Sequence, residues 1–255
     1  MKSLQTSEFA LSAHAVSKAF EGRSVLKNLS LDVHANESMV VMGQSGVGKS
    51  VLLQCFLGFC TPESGQCWIG GKEVAKETNA QQASRFKNSG VVFQSCALFD
   101  SLTLWENVAF RIQGHDQKRR AEAIEILESV GLAQHTADLY PSEISGGMKR
   151  RTSIARAISM NPKFLFFDEP TEGLDPISTT VISQLIRTVI TRLKATAFTI
   201  THNVQSASLI GDHIALLHDG HITWKGTPEE MQTSSNHYVH HFVNGIPFPD
   251  DSKTT

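Results

Sequence analysis

Residues 43–50 read Gly43-Gln44-Ser45-Gly46-Val47-Gly48-Lys49-Ser50, a complete G-x-x-x-x-G-K-[ST] string. It constrains the fold more than any other stretch, because its chemistry needs a buried strand before it and a helix after it. Both flanks comply. Met39-Val40-Val41-Met42 is continuously apolar, as in a strand covered on both faces of a parallel sheet. Lys49 to Leu57 predicts a helix closing at Gly58. In such a turn the glycines let backbone N–H groups converge on phosphate oxygens, and the helix N-terminus adds the positive end of its dipole. Lys49 then reaches the β and γ phosphates, and the Ser50 hydroxyl binds Mg²⁺. The expected cofactors are ATP and Mg²⁺.

The remaining chain must supply neighbours for that strand, and its hydrophobic rhythm does so. Val91 to Gln94, entered from Gly90, Phe164 to Phe167, and Ala197 to Ile200 are further short apolar strands. The helix Pro176 to Lys194 between the last two gives a βαβ rhythm and a largely parallel sheet. Elsewhere the period changes. Phe9 to Phe20 and Val25 to Val33 alternate apolar with polar residues across Gly22, which predicts an antiparallel pair. Gln66 to Val74 reads as an edge strand or hairpin around Gly70-Gly71, and His213 to Gly226 as a closing hairpin turning at Asp219-Gly220. From Leu104 to Met160 the pattern is helical, with Ala121, Ile124, Leu127 and Val130 on one face and breaks at Gly131 and Tyr140-Pro141. The expected fold is α/β: a mostly parallel sheet core, an antiparallel β subdomain and a helical lobe over about residues 100–160.

Composition narrows the partners. Lys+Arg 23 against Asp+Glu 25, a net charge of -2, leaves no large basic surface, so nucleic acid is not an expected partner. Cys55, Cys60, Cys67 and Cys96 have no CxxC spacing, which argues against a zinc site or a disulfide framework and favours a reducing cytosol. The first fourteen residues lack the basic start and apolar core of a secretory leader, and no run approaches the ~18 apolar residues of a spanning helix. A membrane role would need another subunit to supply the span. The polar 251–255 end reads as disordered.

Two more motifs carry chemistry. Phe164-Leu165-Phe166-Phe167-Asp168-Glu169 is an apolar strand ending in two carboxylates. Beside a phosphate loop, Asp168 would hold Mg²⁺ through water, and Glu169, pointing the opposite way off the strand end, would polarise the attacking water as general base. Without the loop a solvated acid pair would be the plainer reading. Ile144-Ser145-Gly146-Gly147-Met148 precedes a helix whose first turns carry Lys149, Arg150 and Arg151, the wrong charge for a helix N-terminus. A Ser N-cap followed by glycines leaves N–H groups for an anion, which would relieve that mismatch. A chain with one phosphate loop needs a reason for a second anion site.

That combination resembles the ATP-binding-cassette (ABC) family over roughly Phe9 to Gln232, with the pieces in the family's order. The resemblance implies that Ser145, Gly146, Gly147 and Met148 clamp the nucleotide held by a second copy of the chain. It further implies that Phe20 stacks on adenine, Gln94 touches Mg²⁺ and the attacking water, His202 contacts the γ-phosphate, and Asp175 of the Glu172-Gly173-Leu174-Asp175 loop reaches the partner's phosphate loop. Plainer readings stay open for Phe20, as core of an alternating strand, and for Asp175, as a helix N-cap before Pro176. Val51 stands where the family commonly has Thr, which removes a hydroxyl contact to the α-phosphate and leaves the backbone N–H. Phe20 replaces a commoner Tyr, Met148 a commoner Gln, and Glu172-Gly173 a commoner Ser-Ala.

Within the family, Val92 to Thr103, Met148, Asp175-Pro176-Ile177 and Phe242-Val243-Asn244-Gly245 are most similar to the Mla-type, or Mce-associated, lipid-transport ATPases. The implied partners are a second copy, an integral membrane permease and an Mce-domain substrate-binding protein, at the cytoplasmic face of the inner membrane. Ala97-Leu98-Phe99 would line a groove for a short permease helix, or be buried in the helical lobe. The ATPase domain then spans residues 9–232, and the His- and Phe-rich 233–255 tail docks through Tyr238, His241 and Phe242, reaching the neighbouring subunit. Rival readings are a non-transport cassette of DNA repair or translation, which usually joins two cassettes or inserts a coiled coil, and a regulator without hydrolysis. A small GTPase is excluded by the missing NKxD motif.

Overall fold

A computed structural model describes residues 9–246; the 251–255 end and the Pro247-Phe248-Pro249 part of the tail lie outside the described residues. In chain order the strands are β1 (Phe9–Phe20), β2 (Arg23–His34), β3 (Ser38–Met42), β4 (Ser64–Ile69), β5 (Lys72–Glu73), β6 (Ser89–Val92), β7 (Phe164–Asp168), β8 (Thr196–Thr201), β9 (His213–His218) and β10 (His221–Gly226). The helices are α1 (Lys49–Leu57), α2 (Asn79–Lys87), α3 (Leu104–Ala109), α4 (Asp116–Ser129), α5 (Gly146–Ile158), α6 (Pro176–Leu193), α7 (Val204–Ile210), α8 (Pro228–Gln232) and α9 (His237–Val243).

The strands sort by period, as the sequence patterns predict. β1, β2, β4 and β5 form an antiparallel sheet in the order β2-β1-β4-β5. The continuous apolar strands form the second sheet, in the order β10-β9-β3-β8-β7-β6, parallel from β6 to β9 with β10 antiparallel at the edge. β3 lies inside it and is buried along its whole length. Strand alternation then divides its side chains: Met39 and Val41 join the core shared with α1 and the antiparallel sheet, while Val40 and Met42 join the core under the helices. β7 divides likewise, Phe166 to the first core and Leu165 and Phe167 to the second. One sheet thus separates and serves two cores, and both faces must be apolar.

Several expectations change. The helical stretch is three α-helices with two short 3₁₀ turns between α4 and α5, and on α4 Ala123, not Ala121, faces the core with Ile124 and Leu127. The strand expected to run to Gln94 ends at Val92. α2 and α7 were not foreseen. Each has a polar N-cap, Thr78 in a capping box with Gln81 and Asn203 bonded to the Ser206 N–H, on a helix too short for a clear apolar period. The tail docks on its own chain. Val239 is buried, and Val239, Phe242 and Val243 pack against Met42, Ile214, Leu216, Trp224 and Met231 of their own chain, with Tyr238 against His218. α9 is therefore part of the same core as β3, because its apolar face finds uncovered β9 and β10 directly below it. No helix among the described residues is long and apolar enough to cross a membrane.

Candidate active site

The site forms where the parallel strands end. β3 runs into Gly43, and the turn closes at Gly48, whose φ of 108° permits the left-handed N-cap of α1. No side chain caps that helix and its first turn holds no acid, so its leading N–H groups and dipole lack a carboxylate partner within the turn. Lys49 is buried, at 6% exposure. Its Nζ donates to the carbonyls of Gly43 (2.7 Å) and Gln44 (3.0 Å) and lies 3.4 Å from Glu169 Oε1.

β7 brings the acids. Strand alternation stops at Asp168; Glu169 does not simply point the other way but turns through a left-handed φ of 43°. That kink buries its carboxylate at 8% exposure between Lys49 and the residue after β8. His202 donates from its backbone N–H at 3.2 Å to Glu169 Oε2 and sets Nδ1 3.1 Å from the same oxygen. Asp168 Oδ1 is buried without a hydrogen-bond partner. Burial raises the Asp168 pKa, with Glu169 and Glu172 adding to the rise and Lys49 opposing it. Three carboxylates, one close Lys and an orphaned buried oxygen leave an excess of negative charge at a half-covered site. That donor set fits a divalent cation, with Ser50 and Asp168 as hard oxygen ligands.

A cleft of about 400 Å³ collects Ser45, Gly46, Gly48, Lys49, Ser50, Val51, Gln94, Glu169, Glu172 and His202. Gln44 and Val47 face a neighbouring cleft with Arg23 and His218, and Gly43 stands at the strand end. Gln94 is exposed in the loop after β6, and its Nε2 donates to Glu172 Oε2 at 2.7 Å. Phe20 is 46% exposed with Lys18 Nζ 5.3 Å from its ring centroid, so the core reading of Phe20 does not hold, and it does not line the cleft.

Ser145, Gly146, Gly147, Met148 and Asp175 do not line that cleft either. Ser145 caps α5 by accepting from the Met148 N–H, and a Cβ at Gly146 or Gly147 would meet nothing within 4 Å, so no contact inside the chain demands glycine there. The Met148 side chain packs on the helical core. Asp175 caps α6, accepting from the Ile177 and Ser178 N–H groups; hydrogen bonding from the Ser178 side chain first, then from these N–H groups, holds its pKa down.

Two of the three basic residues in the first turns of α5, Arg150 and Arg151, turn onto backbone carbonyls, which reduces the expected charge mismatch. Arg150, 4% exposed, donates to the carbonyls of Phe93 (3.0 Å) and Glu172 (3.5 Å), and Arg151 donates to that of Val130. Farther along the helix Ser153 donates to Cys96 O, and Arg156 to Cys96 O and Ala97 O. Three residues on one face of α5 thus hold the loop 93–97, whose Cys96 and Ala97 both adopt left-handed φ. This loop leads to an apolar groove of about 630 Å³ walled by Phe86, Ala97, Phe99, Phe110 and Arg156. Phe99 and Phe110 remain 42% and 56% exposed, 4.7 Å apart, and Leu98 is not among the walls. No periodicity in the sequence links Arg150 or Glu172 to these neighbours, since both contacts are long-range.

Comparison with known proteins agrees with this geometry. A family model described as ABC transporter matches residues 26–172. The intermembrane phospholipid transport system ATP-binding protein MlaF of Haemophilus influenzae is 36% identical over 227 residues, 88% of this chain and 86% of that protein. The probable ribonucleotide transport ATP-binding protein mkl of Mycobacterium leprae is 36% identical over 241 residues, 92% of this chain and 69% of that protein. A solved dimeric ATP-binding cassette in a post-hydrolysis state, bound to ADP and Pi, superposes with a TM-score of 0.77 at 28% identity, covering 86% of this chain and 98% of that one.

Proposed function

This chain belongs to the ABC transporter family, and from that premise we propose that it is the ATP-hydrolysing subunit of a transporter moving phospholipid or another hydrophobic molecule. The observation that carries the catalytic part is the meeting of Lys49, Glu169 and His202 at the ends of β3, β7 and β8. Lys49 holds the β and γ phosphates, with the N–H groups of residues 43–51 as the cradle. Glu169 accepts the proton of the attacking water while His202 keeps its carboxylate in place. Ser50, Asp168 and Gln94 hold Mg²⁺, which when bound neutralises phosphate charge. Val51 contributes its backbone N–H to the α-phosphate. Phe20, exposed at the end of β1, is free to stack on adenine.

The second half of the site is supplied by a second copy. Ser145, Gly146 and Gly147 lie outside the chain's own cleft and are open around their Cα atoms, which supports closure over the partner's nucleotide, with Asp175 at the same seam. The groove at Phe99 and Phe110 suits a short amphipathic segment of a membrane permease. This holds the subunit peripherally at the cytoplasmic face of the membrane. The phospholipid cargo, and an Mce-domain partner beyond the permease, rest on similarity to MlaF, while mkl carries a ribonucleotide name.

Glu169→Gln separates the readings. Hydrolysis falls by roughly 10²–10⁴-fold, and ATP binding persists as a closed dimer visible by light scattering. Rapid turnover in that variant removes Glu169 from the role of base. Co-purification with the permease, and lipid exchange between labelled vesicles that stops without ATP, test the transport half; ATP-independent exchange removes it.

A further inference from the structure

The loop after β7 carries a carboxylate that the chemistry above leaves unused. Glu172 accepts 2.7 Å from Gln94 Nε2, and these are the two residues shared by the phosphate-loop cleft and the neighbouring cleft lined by Asp168. Their bonded side chains line both clefts, the one holding Lys49 and Ser50 and the one holding Asp168, whose Oδ1 has no hydrogen-bond partner. An amide has one donor end and one acceptor end, and on an exposed loop both orientations are open to it. A carboxylate takes only the donor. With Nε2 committed to Glu172, the carbonyl Oε1 is the end left for a cation.

The backbone on both sides of the pair is fixed as well. Buried Arg150 donates to the carbonyl of Phe93, next to Gln94, and to that of Glu172 itself. The Glu172 N–H donates to Glu169 O at 3.2 Å. A short side-chain bond between two held backbones loses little entropy when it forms.

We propose that Glu172 is a positioning residue for hydrolysis: it fixes the Gln94 amide with its oxygen toward the divalent cation, while Arg150 holds the two loops in register. This rests on Gln94 and Asp168 facing Mg²⁺ as proposed above. In this role Glu172 acts through Gln94 and is not itself a ligand of the cation.

ATP binding to the full chain, followed by calorimetry across a Mg²⁺ series and again in EDTA, tests it. Glu172→Ala raises the half-saturating Mg²⁺ roughly tenfold, the scale of losing a partner that orients a ligand, and leaves metal-free ATP binding as in the wild type. Glu172→Gln keeps an oxygen that accepts from Gln94 and rescues most of the shift. Steady-state hydrolysis follows the same order, with a higher half-maximal Mg²⁺ and a smaller change in the rate at saturating Mg²⁺. No shift in Glu172→Ala, or equal shifts in both variants, overturns the inference, the second outcome assigning the effect to charge alone. A wild-type chain that binds ATP with no dependence on Mg²⁺ overturns the metal site proposed above and this inference with it.

Discussion

The end of β7 and the start of α5 both gather charge near a helix or strand terminus, and they treat it in opposite ways. At β7 the groups face one another: Glu169 sits between Lys49 and His202, and Asp168 keeps a buried oxygen unpaired. At α5 the arginines turn back into the chain onto carbonyls, and the N-terminal glycines meet nothing. The first region has brought its reacting groups together; in the second, Arg150 and Arg151 are turned onto carbonyls while Ser145 and Gly146 stay exposed at the helix N-terminus. Neither completes the other within one chain. The difference supports the proposal that the phosphate loop makes half a site and that the start of α5 serves the other half on a second copy.

The largest expected effect breaks the β7 side. Lys49→Met takes away the one close cation and lowers hydrolysis by roughly 10²–10³-fold, as loss of a preorganised charge does; a smaller drop would mean that Glu169 is positioned without it. Next, two inactive variants sharpen the division between regions. Lys49→Met and Gly146→Asp chains, each inert alone, are expected to recover roughly a quarter of wild-type hydrolysis when mixed and co-refolded, because half the two-fold dimers then hold one intact site. Absence of recovery would place both halves in one chain. Phe99→Asp comes third, expected to lower permease-stimulated hydrolysis about tenfold by charging an apolar docking groove; unaltered stimulation and co-purification would move the permease elsewhere. Smallest is Val239→Ala. Loss of two buried carbons costs about 1.5 kcal/mol and lowers Tm by about 3–6 °C, with self-association unchanged, since α9 packs on its own chain. A fall in dimerisation without a fall in Tm would restore the tail's expected reach to a neighbour.

How much was legible follows from the range of each interaction. β3, the turn and α1 are written locally: a continuous apolar run, glycines at fixed offsets, a stop at Gly58 that does cap the helix in the left-handed conformation. The acids at Asp168 and Glu169 are legible by the same rule, but the left-handed kink that buries Glu169 is not, because it depends on Lys49 and His202 arriving from other strands. α2 carried a readable signal in Thr78 and Gln81, too short to stand out against its polar surroundings. Arg150 and Arg151 misled because the macrodipole rule counts charge by position along the helix, whereas long side chains place it up to several ångströms away. The tail's apolar spacing says that it docks and is silent on what it docks to; here Val239, Phe242 and Val243 dock on β9, β10 and α8 of their own chain.

α5 is 13 residues long, about 20 Å of nearly rigid rod. Arg150, Ser153 and Arg156 tie it along one face to the loop that leads to the groove, and its near end carries Ser145. Such a rod is a lever. A tilt of roughly 5° imposed at the groove swings the glycine end by roughly 1.5–2 Å, more than the tolerance of a hydrogen bond to phosphate. Under the proposed docking at Phe99, a membrane partner needs no large rearrangement to switch the proposed seam between two copies; a few degrees of leverage suffice.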